Sequence, residues 1–365
     1  MTKAQPHKQP WIGKPLTEIV FILLPPFASL AFIFLFPSLF QNNKSIPDQW
    51  WITLILLIDV AHVYSTLYRT YFDKQTFRKQ RILLLGIPFI TFICGVLLYS
   101  LSSILFWRLL AYTAVYHFVR QQYGFLRVYS RKETKKDWYH RIDTLTIYAA
   151  TIYPLLYWHL GSNRNFNWFV NGDFLKLKSA IILDISTIVY VLTITVYIIK
   201  EIVFCAVIKS INLPRIIVIL GTILSWYFGI IYFNGDMAFT LLNVVSHGVP
   251  YMALIWLYGK KNYATGESKA GNFLKLVFSQ YGIVIFIGVI FLFAYIEEGL
   301  WDVTVWKEHG NIFRAFHFME VNVSDALLAF LVPLLAVPQV THYVIDGYIW
   351  RIRQDNFKWN NEIAK

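Results

Sequence analysis

The stretch "ILLLGIPFITFICGVLLYSLSSIL" (Ile82 to Leu105) runs without a single Asp, Glu, Lys or Arg. As an α-helix it is ~36 Å long, enough to cross a hydrocarbon core of about 30 Å. Lipid offers backbone amides no water partners, so a run of this kind must be helical. Comparable runs recur along the whole chain. Hydrophobic residues make up 57% of its 365 positions and charged residues 15%, with mean hydropathy +0.49. Soluble proteins average about 45–50% apolar and about 25% charged. The fold class that follows is all-α, a polytopic transmembrane helix bundle. Apolar runs and basic punctuation together give about ten helices, near 17–40, 50–69, 82–105, 107–127, 142–160, 179–200, 214–233, 237–258, 276–296 and 325–350. They read as a single transmembrane domain over residues 1–365, with short tails at 1–16 and 351–365.

The first apolar run is long, is broken by Pro25 and Pro26, and lacks a small-residue cleavage pattern, so it reads as a retained helix rather than a signal peptide. Cys94 and Cys205 show neither metal nor disulfide spacing. The formal net charge of +12 would suit nucleic acid in a soluble protein. Here the basic residues fall between apolar spans, so the positive-inside rule explains them, and the expected surroundings are membrane lipids with no nucleic acid. Basic connections (Arg69 to Arg81, Arg127 to Arg141, Lys200 to Arg215, Lys260 to Lys275) alternate with neutral or acidic ones such as "EEGLWDVTVWKEHG" (Glu297 to Gly310). Both termini are therefore expected to be cytoplasmic, and a bacterial inner membrane is the expected location. Trp50, Trp51, Trp107, Trp158, Trp301 and Trp306 cluster at the predicted outer ends, as an interfacial belt would. No internal repeat of the kind seen in inverted-repeat transporters is evident.

Histidines supply the chemistry. Of the nine, His7, His140, His159, His309 and His317 lie in tails, loops or helix ends. His62, His117, His247 and His342 lie within predicted spans, each on a helix that runs from outside to inside. Counting back from Arg69, Arg127, Lys260 and Arg351 puts each roughly 10–20 Å deep at 1.5 Å per residue. Each also has polar company one turn away: Asp59 and Thr66 near His62, Arg120 and Gln121 near His117, Asn243 near His247, and Gln339 and Asp346 near His342. Polar faces of this kind are expected to point into the bundle.

A lone intramembrane histidine reads first as an interhelical hydrogen-bonding residue. Four at one depth on separate helices point to a shared metal site, because neutral imidazole binds iron, copper or zinc. A ligating ring normally gives its other N–H to a carboxylate, carbonyl or amide. Asp59, Gln121, Asn243 and Asp346 are the candidates for that role, with Asp346 expected to serve His342 and Asp59 to serve His62. Gly248 and Pro250 beside His247 are also consistent with a simple kink. His317 and Glu320 make a less developed pair near the outer surface. Neither H-E-x-x-H nor the clustered histidine boxes of membrane desaturases occur.

The stretches "DVAHVYSTLY", "AVYHFVRQQYG", "VVSHGVPY" and "THYVIDGYIW" resemble the integral-membrane bacterial β-carotene dioxygenases of the Brp/Blh type. The resemblance implies a non-haem Fe(II) held by His62, His117, His247 and His342, O2 as co-substrate, and cleavage of a carotenoid or isoprenoid-like substrate. The chain departs from that family in lacking a histidine pair at i,i+4 on one helix and in carrying more helices. The expected function is therefore an iron-dependent oxygenase acting on a hydrophobic small molecule. Three other readings stand beside it: a transporter coupling protons or ions through intramembrane His and Asp, a haem protein with paired axial histidines, and a transferase with one histidine as general base.

Overall fold

The computed structural model describes residues 9–40, 46–133, 137–161, 167–208, 211–264, 271–319 and 323–350, and every long element among them is helical. The tails at 1–8 and 351–365, and Glu320, lie outside the described residues. Each predicted apolar segment carries a helix: α1 (Pro15–Leu23 and Pro25–Leu35, bent by 52°), α2 (Asp48–Arg69), α3 (Lys74–Leu101), α4 (Ser103–Ser130), α5 (Asp137–Leu160), α6 (Ala180–Val207), α7 (Leu213–Tyr232), α8 (Asp236–Tyr263), α9 (Ile283–Trp306) and α10 (Asp325–Ile349). Seven of them are long and apolar enough to cross a membrane, and α1 makes an eighth if its two halves count as one span. The bend in α1 falls at Pro25 and Pro26, where two missing N–H donors interrupt the helical ladder.

Boundaries follow local chemistry. Asp73 caps α3 by accepting the Gln75 N–H at 3.0 Å, and Ser102 ends α3 and caps α4 by accepting from Leu105. α9 begins later and ends later than the expected 276–296, because a separate short helix (Asn272–Val277) and a turn occupy its predicted start. Glu297 and Glu298, expected in an outer loop, are consequently buried in the last turns of a helix.

The bundle has two distinguishable ends. At one, Arg131 donates to the carbonyls of Pro10 and Trp11, Gln9 donates to Ile211, Arg69 donates to Ile349, and Tyr263 donates to Asp73. Both described chain ends and the basic connections therefore gather there. At the other, Trp107, Trp301 and Trp306 pack with ring centroids 5.4–6.0 Å apart, and Trp51 lies against His309 at 4.1 Å. Close approach of α10 to α3 depends on Gly95, where a Cβ would stand 2.9 Å from Pro333.

α6 sits on the outside, with Ile181, Ile185, Ile188 and Leu192 exposed as a lipid-facing flank requires. What ties it in is a buried charge cluster. Arg215 of α7 donates to Asp143 of α5 at 2.8 Å and to Glu201 of α6 at 2.6 Å, while Lys200 bridges the same two acids. Removing one cation leaves two buried carboxylates under-neutralised. Arg215→Ala is therefore expected to destabilise the solubilised protein by roughly 3–5 kcal/mol, measured by thermal unfolding, whereas Lys178→Ala on the exposed surface is expected to change stability by less than about 0.5 kcal/mol.

Candidate metal centre

Sequence spacing places His62 two turns from the end of α2, His117 in the middle of α4, His247 just after the non-α stretch of α8, and His342 in the second half of α10. In the folded chain all four rings are buried, at 1%, 3%, 0% and 2% exposure, and one ring nitrogen from each lies within 4.8 Å of the others. The rings close a pinwheel in the order His62, His247, His117, His342. Neighbouring centroids are 4.6–5.0 Å apart and every contact is edge to face. Nε2 of His247 is 3.1 Å from Nε2 of His62, and Nε2 of His342 is 3.1 Å from Nε2 of His117.

Tautomers follow from the partners behind the rings. His62 Nδ1 lies 3.2 Å from the Ile58 carbonyl, which only accepts, so Nδ1 carries the proton and the Nε2 lone pair faces the centre. His117 Nδ1 faces the Asp346 carboxylate at 3.9 Å, which favours the same tautomer. His342 Nδ1 meets the Thr66 hydroxyl at 2.7 Å, and that hydroxyl is 3.0 Å from the Tyr251 hydroxyl. His247 is fixed by stacking, its ring 3.7 Å from Phe118 and nearly parallel to it, while its Nδ1 has no hydrogen-bond partner among the described residues.

Two of the expected partnerships differ from the structure. Asp346 was expected one turn from His342 as its carboxylate, yet it faces His117 across the α4–α10 interface, because Thr66 of α2 already occupies the His342 Nδ1. Asn243 was expected on the His247 face. Its amide instead points to the carbonyls of Ser225 and Phe239, both at 3.4 Å. Asn243 lies in the π-helical stretch Thr240–Val244, and backbone carbonyls of α7 and α8 take up its amide. Asp59 stands 3.9 Å from His62 Nδ1 as expected, although the Ile58 carbonyl is the nearer partner. Gln121 acts on the backbone, donating to the His247 carbonyl at 2.8 Å. His159 is satisfied away from the centre by Leu155 and Tyr112, Arg120 turns outward to Tyr148, and His309 stacks on Trp51.

The donor set suits a metal ion. Two nitrogens on opposite sides of one ion, each at 2.0–2.1 Å, are about 4.2 Å apart and adjacent ones about 3 Å. The observed separations need shifts of only a few tenths of an ångström. Among the described residues no other group of three ligating side chains converges as closely.

A cavity of about 410 Å³ reaches this centre from the tryptophan-rich end. His62, Asp59 and Tyr343 line its inner part, and Trp51, Trp306 and His309 line its mouth. Glu298, which sequence reading left in a loop, also faces it, whereas Glu297 beside it is satisfied by the Tyr64 hydroxyl at 2.6 Å and by Gln339 at 3.2 Å. Only the later end of α9 brings these acids into the bundle interior, and nothing in the apolar run itself signals that end. No family model, curated protein or solved structure matches the chain.

Gly248 sets the spacing of α8 against α2: a Cβ there would lie 2.9 Å from the Ile58 carbonyl oxygen and 3.4 Å from His62 Nδ1. Gly248→Ala is therefore expected to cost about 1–3 kcal/mol in thermal unfolding through overpacking. Gly288→Ala, with nothing within 4 Å of its Cβ, is expected to be neutral or slightly stabilising.

Proposed function

We propose that the protein is a multi-pass enzyme of a bacterial inner membrane, with ten spans and cytoplasmic termini, that uses a four-histidine Fe(II) centre to oxygenate a lipid-soluble substrate with O2. The observation that carries this reading is the convergence of His62, His117, His247 and His342 through Nε2, two pairs of them at 3.1 Å. Four neutral imidazoles add no negative charge, so iron bound there would keep its divalent charge and open positions for dioxygen and substrate. The chain supplies the rest. Ile58, Thr66 and Asp346 orient the rings, and Phe118 and Tyr343 stack on His247 and His117.

The resemblance to carotenoid-cleaving dioxygenases supports a carotenoid or isoprenoid-like substrate, and the aromatic lining of the cavity is compatible with an extended apolar molecule. A transporter is the second reading, favoured by the carboxylates of Asp59 and Glu298 that face the cavity. It predicts proton-coupled flux and no bound metal.

Elemental mass spectrometry on the detergent-solubilised protein is expected to find about one iron per chain. Alanine replacement of His62, His117, His247 or His342, one at a time, is expected to remove it while helicity by circular dichroism is kept. Full metal retention in any two of these variants would overturn the shared centre, and metal-free wild type that supports pH-driven flux in vesicles would replace it with transport.

A further inference from the structure

The cavity that reaches His62 has an unusual charge. The protein carries 33 Lys and Arg against 21 Asp and Glu. Yet among the described residues the cavity is lined by Asp59, Asp236, Glu298 and Glu308, with no Lys or Arg. Asp236 and Glu308 are exposed at the rim. Deeper in, Asp59 is half-buried next to His62, and Glu298 is only 7% exposed, with no hydrogen bond or ion pair to any described residue. An unpartnered carboxylate inside a membrane span is costly, and it persists where a ligand completes it.

Five tryptophans share the lining: Trp51, Trp107, Trp168, Trp301 and Trp306. Aromatic faces beside carboxylates are the chemistry that recognises organic cations, since an ammonium group is attracted both to the ring quadrupole and to the negative charge. A bare divalent ion fits less well, because among the described residues only the four histidines converge to metal-binding distance. A purely hydrocarbon ligand fits less well too, because it leaves Glu298 without a partner.

We propose that the cavity binds an amphiphile bearing an ammonium group, with the cation held between Asp59 and Glu298 against the tryptophans. That this amphiphile is the enzyme's substrate rests on the four-histidine reading. The binding itself does not.

The test is a binding titration on the full-length protein in uncharged maltoside micelles, followed by intrinsic tryptophan fluorescence, with decyltrimethylammonium as the probe. Decanol and decyl sulfate serve as the uncharged and anionic comparisons. Decyltrimethylammonium is expected to bind at least about tenfold tighter than either. Glu298→Gln and Asp59→Asn, each shape-conserving, are expected to weaken it by about tenfold while leaving decanol unchanged. Equal affinity for the three probes, or preference for decanol, decyl sulfate or a carotenoid, overturns the proposal using wild type alone, so misfolding of a variant does not shelter it. Unaltered cation binding in both folded variants overturns it as well. Repeating the titration on metal-loaded and chelator-treated protein separates the two readings. Cation selectivity with no metal in any preparation removes the enzyme and keeps the cavity's ligand, whereas bound iron without cation selectivity does the reverse.

Discussion

An imidazole ring in an apolar interior has two nitrogens to satisfy, and four such rings meet at one point in this bundle. Behind the rings the requirement is largely met, by the Ile58 carbonyl for His62, the Thr66 hydroxyl for His342 and the Asp346 carboxylate for His117. In front of them, Nε2 atoms face one another. Nitrogens 3.1 Å apart need either a shared proton or a shared cation between them. The arrangement of α2, α4, α8 and α10 around this point follows from that constraint.

The helices reach the point by departing from regular geometry. α2 is π-helical over Ile52–Val60 and α8 over Thr240–Val244, ending two residues before His62 and three before His247. Inserting a wider turn there rotates the following residues, so that His62 and His247 face inward on helices whose other faces serve packing. Gly248 then lets the two backbones come together at the Ile58 carbonyl, the same atom that fixes the His62 tautomer. One close approach therefore serves both packing and the direction of a lone pair.

Much of this was legible in the sequence because lipid enforces it. Apolar runs had to be helices, and the distance of each histidine from a basic helix end fixed its depth, which is why His62, His117, His247 and His342 could be grouped before any contact was known. What stayed hidden was rotation about each helix axis. Asn243 was assigned to His247 by a rule for the α-helix, and it lies in a stretch that is not α-helical. Asp346 shares a helix with His342 yet serves His117, a choice made by Thr66 on another helix. Glu297 and Glu298 were read as loop because hydropathy falls at the first acid, whereas the helix continues and the Tyr64 hydroxyl compensates one of them.

The donors of the centre are far apart along the chain. His62 and His117 lie in the first third, and His247 and His342 in the last third. α10, the last of these helices in chain order, contributes His342 and packs on α3 through Gly95 and Pro333. During synthesis, therefore, three rings stand in the growing bundle with an open side until α10 is inserted. Closure of the four-histidine group is in this way tied to completion of the bundle. A nascent chain stalled before Asp325 holds three of the four rings, and the group closes only when the last of the four helices packs.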